Sequence, residues 1–241
     1  MSGRHCLLSI DCTRVAHAET RSRAARLIAS FSNNFIFLKT RKTAGTSVEI
    51  VLSTWCSGTD VVTPISTADE TIRRNYGAMP MNYRDTTGRT VFKNHMTAAA
   101  VKAAVPELWQ QSFKFTVERH PYERVVSRVY WWIHSRSGDP YADFDSTLEE
   151  VLNTPDMVNN RAIYCIDDRI VCDEVIRYDQ LWDRMAAIAT RFGKTLPSEL
   201  PRAKGTFRKD RRPASAILTQ EQKQRVYEIA RLDFDELGFE R

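Results

Sequence analysis

The sequence has no hydrophobic run long enough to cross a membrane. A membrane-spanning helix needs about 20 consecutive apolar residues, and no stretch of the chain approaches that length. Near the amino terminus, the apolar run over residues 7–10 is broken by Asp11 and is too short for the core of a signal peptide. We therefore expect a cytoplasmic protein without a membrane span.

Cysteine is also scarce, with five residues in the whole chain. The number is odd and no CxxC pair occurs, so the sequence contains no disulfide framework. Cys165 and Cys172 lie in apolar, strand-like surroundings, where inert buried thiols are favoured over a metal site. No cluster of side chains has metal-ligand spacing, and we expect no metal.

Glycine and proline are few, with nine of each, while hydrophobic residues make up 42% and charged residues 27% of the chain. These values exclude collagen-like, disordered and coiled-coil chains. The 241 residues are enough for one α/β domain with a sizeable core. Lys and Arg exceed Asp and Glu by 35 to 30, an excess that is compatible with an anionic ligand but does not identify one.

Strand-like and helix-like patterns alternate along the chain. Hydrophobic spacing predicts buried strands at 34–38 and 113–117, and shorter strands at 91–92, 170–172 and 175–178. It predicts helices at 46–55, 97–105, 121–135, 181–192 and from 219 to about 233. Residues 57–90 form the longest predicted irregular segment. The alternation favours an α/β fold with a mainly parallel sheet flanked by helices.

We predict a single domain over residues 33–241. Residues 1–32 show no clear hydrophobic period and are interpreted as an irregular or partly helical amino-terminal extension.

The first candidate anion site follows the strand at 34–38. Ala44 and Gly45 are small enough to let the backbone approach a ligand, Lys42 adds a mobile charge, and Thr46 and Ser47 add hydroxyl donors. The first N–H groups of a helix have no partner within it and can bind a phosphate. The segment is similar to a P-loop in its physics, but its lysine precedes the glycine. An ordinary capped strand-to-helix turn is the alternative.

The second candidate anion site combines Arg119, at the end of the strand at 113–117, with Ser127 on the helix that Pro121 begins. The end of a strand in an open parallel sheet faces the ligand crevice. An arginine there can clasp a phosphate together with a hydroxyl from the next helix. The alternative is a structural ion pair for Arg119 and a buried helix serine at 127.

Together the two motifs resemble those of sulfotransferases, in the carbohydrate branch that includes heparan sulfate 2-O-sulfotransferases and many bacterial members. The loop from Lys42 to Ser47 resembles the family's 5′-phosphosulfate loop. The stretch from Arg119 through Pro121 to Ser127 resembles its 3′-phosphate motif. The resemblance covers residues 33–239.

Further similarity lies in Asn94-His95-Met-Thr97, in Asn160-Arg-x-x-Tyr164 and in residues 175–181. Two positions depart from the family pattern, because Ala44 replaces the commoner glycine and Asp179 stands where glutamate is usual. Ala44 still permits close approach of the backbone, provided that its φ is negative.

The resemblance implies a P-loop-like nucleotide-binding fold and a sulfotransferase that uses 3′-phosphoadenylyl sulfate (PAPS). The sulfuryl group would pass in line to a hydroxyl of a carbohydrate or glycoconjugate, leaving adenosine 3′,5′-bisphosphate, without a metal. The residues that the resemblance assigns to PAPS are Arg41, Lys42, Thr43, Ala44, Gly45, Thr46, Ser47, Arg119, Ser127, Lys204 and Gly205.

Two residues are predicted to be catalytic. Lys42 would neutralise charge on the departing phosphate, and His95 would take the proton of the acceptor. A structural histidine at 95, or an acidic residue as the true base, is the alternative. Glu118 is interpreted as the salt-bridge partner of Arg119. His120 is expected to face solvent, and His134 to cap helix carbonyls.

Other residues near these motifs are open to two interpretations. Trp131 and Trp132 are interpreted as packing residues more readily than as sugar platforms. Arg124 is either a structural partner or a cofactor ligand. The basic segment at 202–212 could cover the adenine and the 3′-phosphate, remain a solvated loop, or bind an anionic acceptor.

Two rival functions remain. An ATP-dependent kinase could use the same strand–loop–helix, but the Gly-Lys-Ser/Thr ending and an evident Mg²⁺-binding acid are missing. A nucleic-acid-binding protein could use the basic segment, but no RRM, KH or zinc signature accompanies it, and we expect no nucleic-acid partner.

Overall fold

A computed structural model describes residues 27–92, 95–136, 143–203 and 207–241. Its strands are Ile28–Ser30 (β1), Phe35–Phe37 (β2), Val61–Val62 (β3), Phe113–Glu118 (β4), Cys165–Ile166 (β5), Arg169–Ile170 (β6) and Glu174–Arg177 (β7). Its helices are Gly45–Ser53 (α1), Thr67–Asn75 (α2), Ala98–Ala104 (α3), Pro106–Gln111 (α4), Pro121–Ser135 (α5), Phe144–Leu152 (α6), Pro155–Val158 (α7), Arg161–Tyr164 (α8), Leu181–Arg191 (α9), Ala214–Ile217 (α10) and Gln220–Leu237 (α11). A 3₁₀ turn at Tyr178–Gln180 joins β7 to α9.

The central sheet is mixed, with five strands in the order β3-β1-β2-β4-β7. The pairs β2–β4 and β4–β7 are parallel, whereas β1 pairs with both β2 and β3 in antiparallel fashion. The prediction of an α/β fold is therefore confirmed, but the prediction of a mainly parallel sheet is wrong. The reason is the four-residue turn between β1 and β2, because parallel neighbours need a much longer crossover.

Strand β1 lies in the segment that was predicted to be irregular or partly helical. Leu27, Ile28 and Ala29 are fully buried. Leu27 and Ala29 pack on one face of the sheet, and Ile28 packs on the other. A strand buried on both faces is a continuous apolar run without alternation, so the sequence offers no period by which to recognise it. The sheet therefore includes residues that the sequence assigned to the extension, whose residues 1–26 lie outside the described part.

Eight of the predicted elements are confirmed close to their expected bounds, namely β2, α1, α3, β4, α5, β7, α9 and α11. The strand expected at 170–172 forms slightly earlier in the chain, as β6. Pro121 is the first residue of α5, where its missing N–H costs no hydrogen bond. Thr219 and Gln222 form a capping box at the start of α11. Local signals of this kind are independent of the rest of the chain.

The segment at 57–90 is not irregular throughout, because it contains β3 and α2. Ser66 caps α2 by accepting a hydrogen bond from the Asp69 N–H. The expected strand at 91–92 is not formed, and the N–H groups of Val91 and Phe92 instead donate to the Tyr83 carbonyl. Helix α2 was missed because it is short and mostly polar, with too few apolar residues for a helical period to show in the sequence.

The two faces of the sheet are both covered. Phe35 and Phe37 on one face pack with Phe115 against α1 and α9, while Ile36 and Leu38 on the other pack against α3 and α4. This division follows the period of two in a strand. In the described ranges, no helix is long and apolar enough to cross a membrane.

Parallel pairing positions the candidate site. Phe37 of β2 lies opposite Phe115 of β4, and Glu118 of β4 lies opposite Arg177 of β7. The loop after β2, the residue Arg119 after β4 and the 3₁₀ turn after β7 therefore emerge at the same edge of the sheet. This edge is where open α/β sheets bind their ligands.

Candidate anion-binding site

A cavity of about 930 Å³ lies at this edge of the sheet. Its wall is formed by the loop after β2, the start of α1, one face of α5, the 3₁₀ turn, segment 64–66, residue 203 and parts of segment 207–213. Among the described residues that line it, eight are basic and one is a carboxylate: Lys39, Arg41, Lys42, Arg119, Arg128, Arg208, Arg211, Arg212 and Glu123. This excess of positive charge in a concave site favours a polyanionic ligand.

The loop between β2 and α1 contains two left-handed residues. Lys42 has φ +65° and Ala44 has φ +61°, whereas Thr43 between them is not left-handed. Left-handed residues in a loop can turn successive N–H groups to one side, the arrangement found in concave anion sites. The condition set for Ala44, a negative φ, is therefore not met. The left-handed conformation costs an L-residue about 1–2 kcal/mol, a cost that glycine does not have.

Gly45 is required because the Lys39 side chain crosses directly over it. A Cβ at position 45 would lie 2.7 Å from Lys39 Cγ, closer than carbon atoms approach. Lys39 Nζ donates to Thr46 Oγ1 over 3.0 Å and pairs with Glu49 at 2.5 Å. Glu49 is in turn paired with Arg73 at 3.2 Å, deep in the protein. Lys39 is therefore a fixed cation beside the loop.

Sequence reasoning did not select Lys39, although a signal was present. Lysine follows the apolar run of β2 directly, and an unpaired lysine is almost never fully buried. The Lys39 side chain is only 2% exposed. A lysine directly after a buried strand therefore indicates a buried cation that is paired inside the protein.

Asn160 holds the loop from the other side. Its Oδ1 accepts the Arg41 N–H over 3.1 Å, and its Nδ2 donates to the Arg41 carbonyl over 3.1 Å and to Glu118. The pair of bonds fixes the peptide groups on both sides of the Arg41 Cα. Asn160 belongs to the similarity at 160–164 and is a positioning residue for the loop.

Lys42 points toward an aromatic ring in the cavity wall. Its Nζ lies 5.5 Å from the centroid of the Trp131 ring, and the Arg128 guanidinium carbon lies 5.8 Å from the same centroid. Trp131 is half-buried in the cavity wall and also packs against the ring of Trp132, with 5.5 Å between the centroids, so both interpretations of Trp131 remain compatible with its position. Trp132 faces elsewhere and stacks with Arg136 at 4.8 Å.

Arg119 and Ser127, the two residues of the second candidate anion site, both line the cavity. The Arg119 guanidinium lies 4.7 Å from the centroid of the Tyr178 ring, and its Nη2 donates to Glu123 Oε2 over 2.9 Å. Burial lowers the pKa of Arg119, opposed by the charge of Glu123, but the group stays protonated. Arg119 thus forms an ion pair and faces the cavity at the same time.

Arg124 is a structural residue outside the cavity wall. It is 1% exposed and lies between the carboxylates of Glu118 and Asp233, with a 2.7 Å bond to Asp233. Tyr164 donates to the same aspartate over 2.6 Å. The interpretation of Glu118 as the side-chain partner of Arg119 is wrong, because Glu118 pairs with Arg124. Burial raises the pKa of Glu118, while the charge of Arg124 opposes this rise.

His95 lines the cavity next to the loop. Its Nδ1 lies 2.8 Å from the Lys39 carbonyl oxygen. In a neutral imidazole, this contact places the proton on Nδ1 and the lone pair on Nε2. Lys39 therefore contributes its side chain to the loop and its carbonyl to the orientation of His95.

Among the described residues, His120 and His134 differ from expectation. His120 does not face solvent freely: its Nε2 lies 2.9 Å from the Glu240 carbonyl oxygen, and its ring contacts Tyr122, Phe234 and Phe239. His134 stacks on Phe207 of the basic segment, with 4.2 Å between the ring centroids.

The cavity gathers most of the residues that were predicted for the site. Ser47 does not line it and lies buried in the first turn of α1, where its N–H donates to the Ala44 carbonyl over 2.9 Å. Lys204 and Gly205, together with Asn94, lie outside the described residues. The predicted residues that line the cavity are Arg41, Lys42, Thr43, Ala44, Gly45, Thr46, His95, Arg119 and Ser127.

In the part of the chain that the structure describes, no group of three or more His, Cys, Asp or Glu residues could hold a metal ion. Comparison of the chain with protein-family models, with curated proteins and with solved structures finds no match. The function of the cavity is therefore argued from its own residues.

Proposed function

We propose that the protein is a sulfotransferase that moves a sulfuryl group from PAPS to a hydroxyl of a carbohydrate or glycoconjugate acceptor. The observation that carries this proposal is the union of two motifs in one cationic cavity. Lys42 and its loop come from one strand end, and Arg119 with Ser127 comes from the next. The sequence patterns of both motifs resemble those of the family named above, apart from Ala44.

The residues of the cavity fit a nucleotide with two separate phosphate groups. The volume of about 930 Å³ lies within the range of pockets that bury small ligands. The left-handed turns at Lys42 and Ala44 make one anion cradle, and Arg119 faces a second position. Aromatic rings of Trp131 and Tyr178 lie in the same wall.

On the donor side, the reaction requires stabilisation of the negative charge on the departing phosphate. PAPS supplies an activated sulfuryl group when it is bound. Lys42 then neutralises the negative charge that develops on the bridging oxygen as the sulfur–oxygen bond to the phosphate breaks. The backbone N–H groups of the loop hold the phosphate, and Lys39 and Thr46 keep the loop in place.

On the acceptor side, His95 takes the proton of the attacking hydroxyl as the new sulfur–oxygen bond forms. The contact of Nδ1 with the Lys39 carbonyl presents the basic Nε2 for this purpose. The imidazole gains one proton and the adenosine bisphosphate leaves as the dissociated phosphate, so charges and atoms balance.

The test is a comparison of ligands by isothermal titration, followed by an assay with labelled PAPS and a panel of glycans. We expect adenosine 3′,5′-bisphosphate to bind more tightly than ATP. Tighter binding of ATP with phosphoryl transfer would instead identify a kinase. Salt-dependent binding of generic oligonucleotides in preference to the bisphosphate would identify a nucleic-acid-binding protein.

The matched variants for the assay are Lys42→Ala and Lys102→Ala. Lys102 is an exposed lysine of α3 and does not line the cavity. We expect Lys42→Ala to lower kcat about 100- to 1,000-fold, the usual effect of removing one group that stabilises developing charge. Lys102→Ala should leave kcat unchanged, and equal rates for the two variants would remove Lys42 from the mechanism.

A further inference from the structure

Glu123 is the one carboxylate among the described residues that line the cavity. It lies in the first turn of α5, four residues after Arg119. A carboxylate in a cavity that binds polyanions repels the ligand, so its presence there indicates a role other than ligand contact. Its hydrogen bonds show what that role is.

Three donors from two separate parts of the chain meet at Glu123. Its Oε2 accepts from Arg119 Nη2 over 2.9 Å and from Arg208 Nη1 over 2.5 Å. Its Oε1 accepts the N–H of Ala214 over 2.6 Å. The last two bonds tie the segment 207–214 to α5.

The shared oxygen brings two guanidinium groups close together. The two arginine nitrogens lie at most about 5.4 Å apart, which is the sum of their distances to Oε2. Two positive groups at this spacing repel each other unless a negative charge lies between them. Burial alone raises the pKa of Glu123, but the bonds from Ala214 and Arg208 outweigh it and keep the pKa low.

Each guanidinium group also has further contacts, besides Glu123, that fix its position. Arg119 lies against the Tyr178 ring. Arg208 donates to the carbonyl oxygens of Asp210 and Arg212. A guanidinium fork that is fixed before the ligand arrives loses little conformational freedom on binding a phosphate.

We propose that Glu123 is a positioning residue that holds Arg119 and Arg208 as a pair, aimed at the second phosphate of the donor. Through this pair, Glu123 makes the site selective for a nucleotide that carries both a 3′- and a 5′-phosphate. The inference rests on the proposed function, because it takes a bisphosphorylated adenosine as the ligand.

The opposite role for Glu123 is that of a competitor, a carboxylate that occupies the two arginines and must be displaced by the phosphate. The two roles predict changes of opposite sign. Loss of the negative charge weakens binding if the carboxylate positions the pair, and strengthens it if the carboxylate competes.

The experiment measures the Kd of adenosine 3′,5′-bisphosphate and of adenosine 5′-phosphate by isothermal titration. The variants are Glu123→Gln, which keeps the shape, and Glu123→Asp, which keeps the charge. Glu150→Gln is the matched control, because Glu150 accepts two bonds from Arg136 at 2.6 and 2.8 Å outside the cavity.

We expect Glu123→Gln to weaken binding of the bisphosphate about 10- to 100-fold, corresponding to the loss of a hydrogen bond between charged groups. Binding of adenosine 5′-phosphate should change less than threefold, and Glu150→Gln should match the wild type for both ligands. Glu123→Asp should recover part of the preference, because it restores the charge.

Arg208→Gln is the second variant, in case Glu123→Gln does not fold. We expect it to reduce the preference for the bisphosphate, and the double variant to be no worse than either single one, because the residues act as a unit. An Arg208→Gln variant that keeps the wild-type preference for the bisphosphate would overturn the inference by itself, and so would additive losses in the double variant.

The remaining outcomes separate the inference from the proposed function. A wild-type protein with no preference for the bisphosphate refutes the proposed function. A wild-type preference that Glu123→Gln leaves intact, or increases, refutes the positioning role alone. Equal weakening of both nucleotides by Glu123→Gln shows a merely structural role and also refutes it.

Discussion

Replacement of Arg124 by methionine tests whether this arginine is structural. The methionine fills a similar volume without charge, and it leaves the carboxylates of Glu118 and Asp233 without the cation that lies between them. All three side chains are at most 1% exposed, so water cannot take the place of the guanidinium. The perturbation is therefore the loss of the cation that pairs with both buried carboxylates, and of the two only Asp233 keeps another cation nearby within the described part of the chain, Arg161 at 3.9 Å.

Removal of one partner from a buried ion pair costs about 3–5 kcal/mol of the free energy of unfolding. For a protein of this size, each kcal/mol corresponds to about 2–4 °C in Tm. We therefore expect Arg124→Met to lower Tm by about 6–20 °C. The control is Arg136→Met, because Arg136 and Glu150 pair with side chains 36% and 39% exposed. Such a pair contributes less than about 1 kcal/mol.

The loss should depend on pH, and the sign follows from the pKa of Glu118. Burial raises this pKa above its ordinary value, and the charge of Arg124 opposes the rise. Without Arg124, the pKa rises further. An acid with a raised folded pKa contributes stability below its ordinary pKa and loses it as the pH rises through the raised value. Arg124→Met should therefore be closer to the wild type at pH 5 than at pH 8.

The assay is urea unfolding followed by circular dichroism at both pH values, with thermal melts as a second readout. A loss no larger than that of Arg136→Met would refute the assignment of Arg124 as a buried structural hub. A large loss that is the same at pH 5 and pH 8 would refute the argument from the buried carboxylates, because protonation would then bring no relief.

Three further outcomes follow from the site. His95→Asn should lower kcat about 100- to 10,000-fold with the Kd of the bisphosphate unchanged, and an active variant would make His95 structural. Ala44→Gly should raise the free energy of unfolding by about 0.5–1 kcal/mol, because the relief of left-handed strain is larger than the entropy that glycine adds to the unfolded chain. A loss of stability in urea unfolding would contradict the φ of +61° at Ala44. Gly45→Ala should cost about 1–3 kcal/mol through its clash with Lys39, and a variant with wild-type stability would show that Lys39 moves freely.

The elements nearest the site were predictable because their signals are local. The apolar run of β2, the helical spacing of α1 and the proline that begins α5 each depend on a few neighbouring residues. The same holds for the threonine caps of α3 and α11. Hydrogen bonds between residues three or four apart form in the same way whatever surrounds them.

Other features could not be predicted because they depend on contacts between distant residues. The antiparallel pairing of β1 is decided by which strand it meets, and nothing in its apolar run specifies that choice. The left-handed φ of Ala44 is imposed by a loop whose Arg41 peptide groups are held by Asn160, 119 residues away.

Arg119 and Arg124 show most clearly which properties follow from local sequence and which depend on tertiary contacts. Both belong to one short motif, and the sequence by itself determined that Arg119 follows a strand and that Arg124 lies on the following helix. Only the tertiary structure decided their roles. Arg119 emerges at the cavity edge of the sheet, whereas Arg124 points back between two buried carboxylates, one of which comes from α11. A buried charge must have its partner close by, and where that partner lies is decided by the packing of the whole chain.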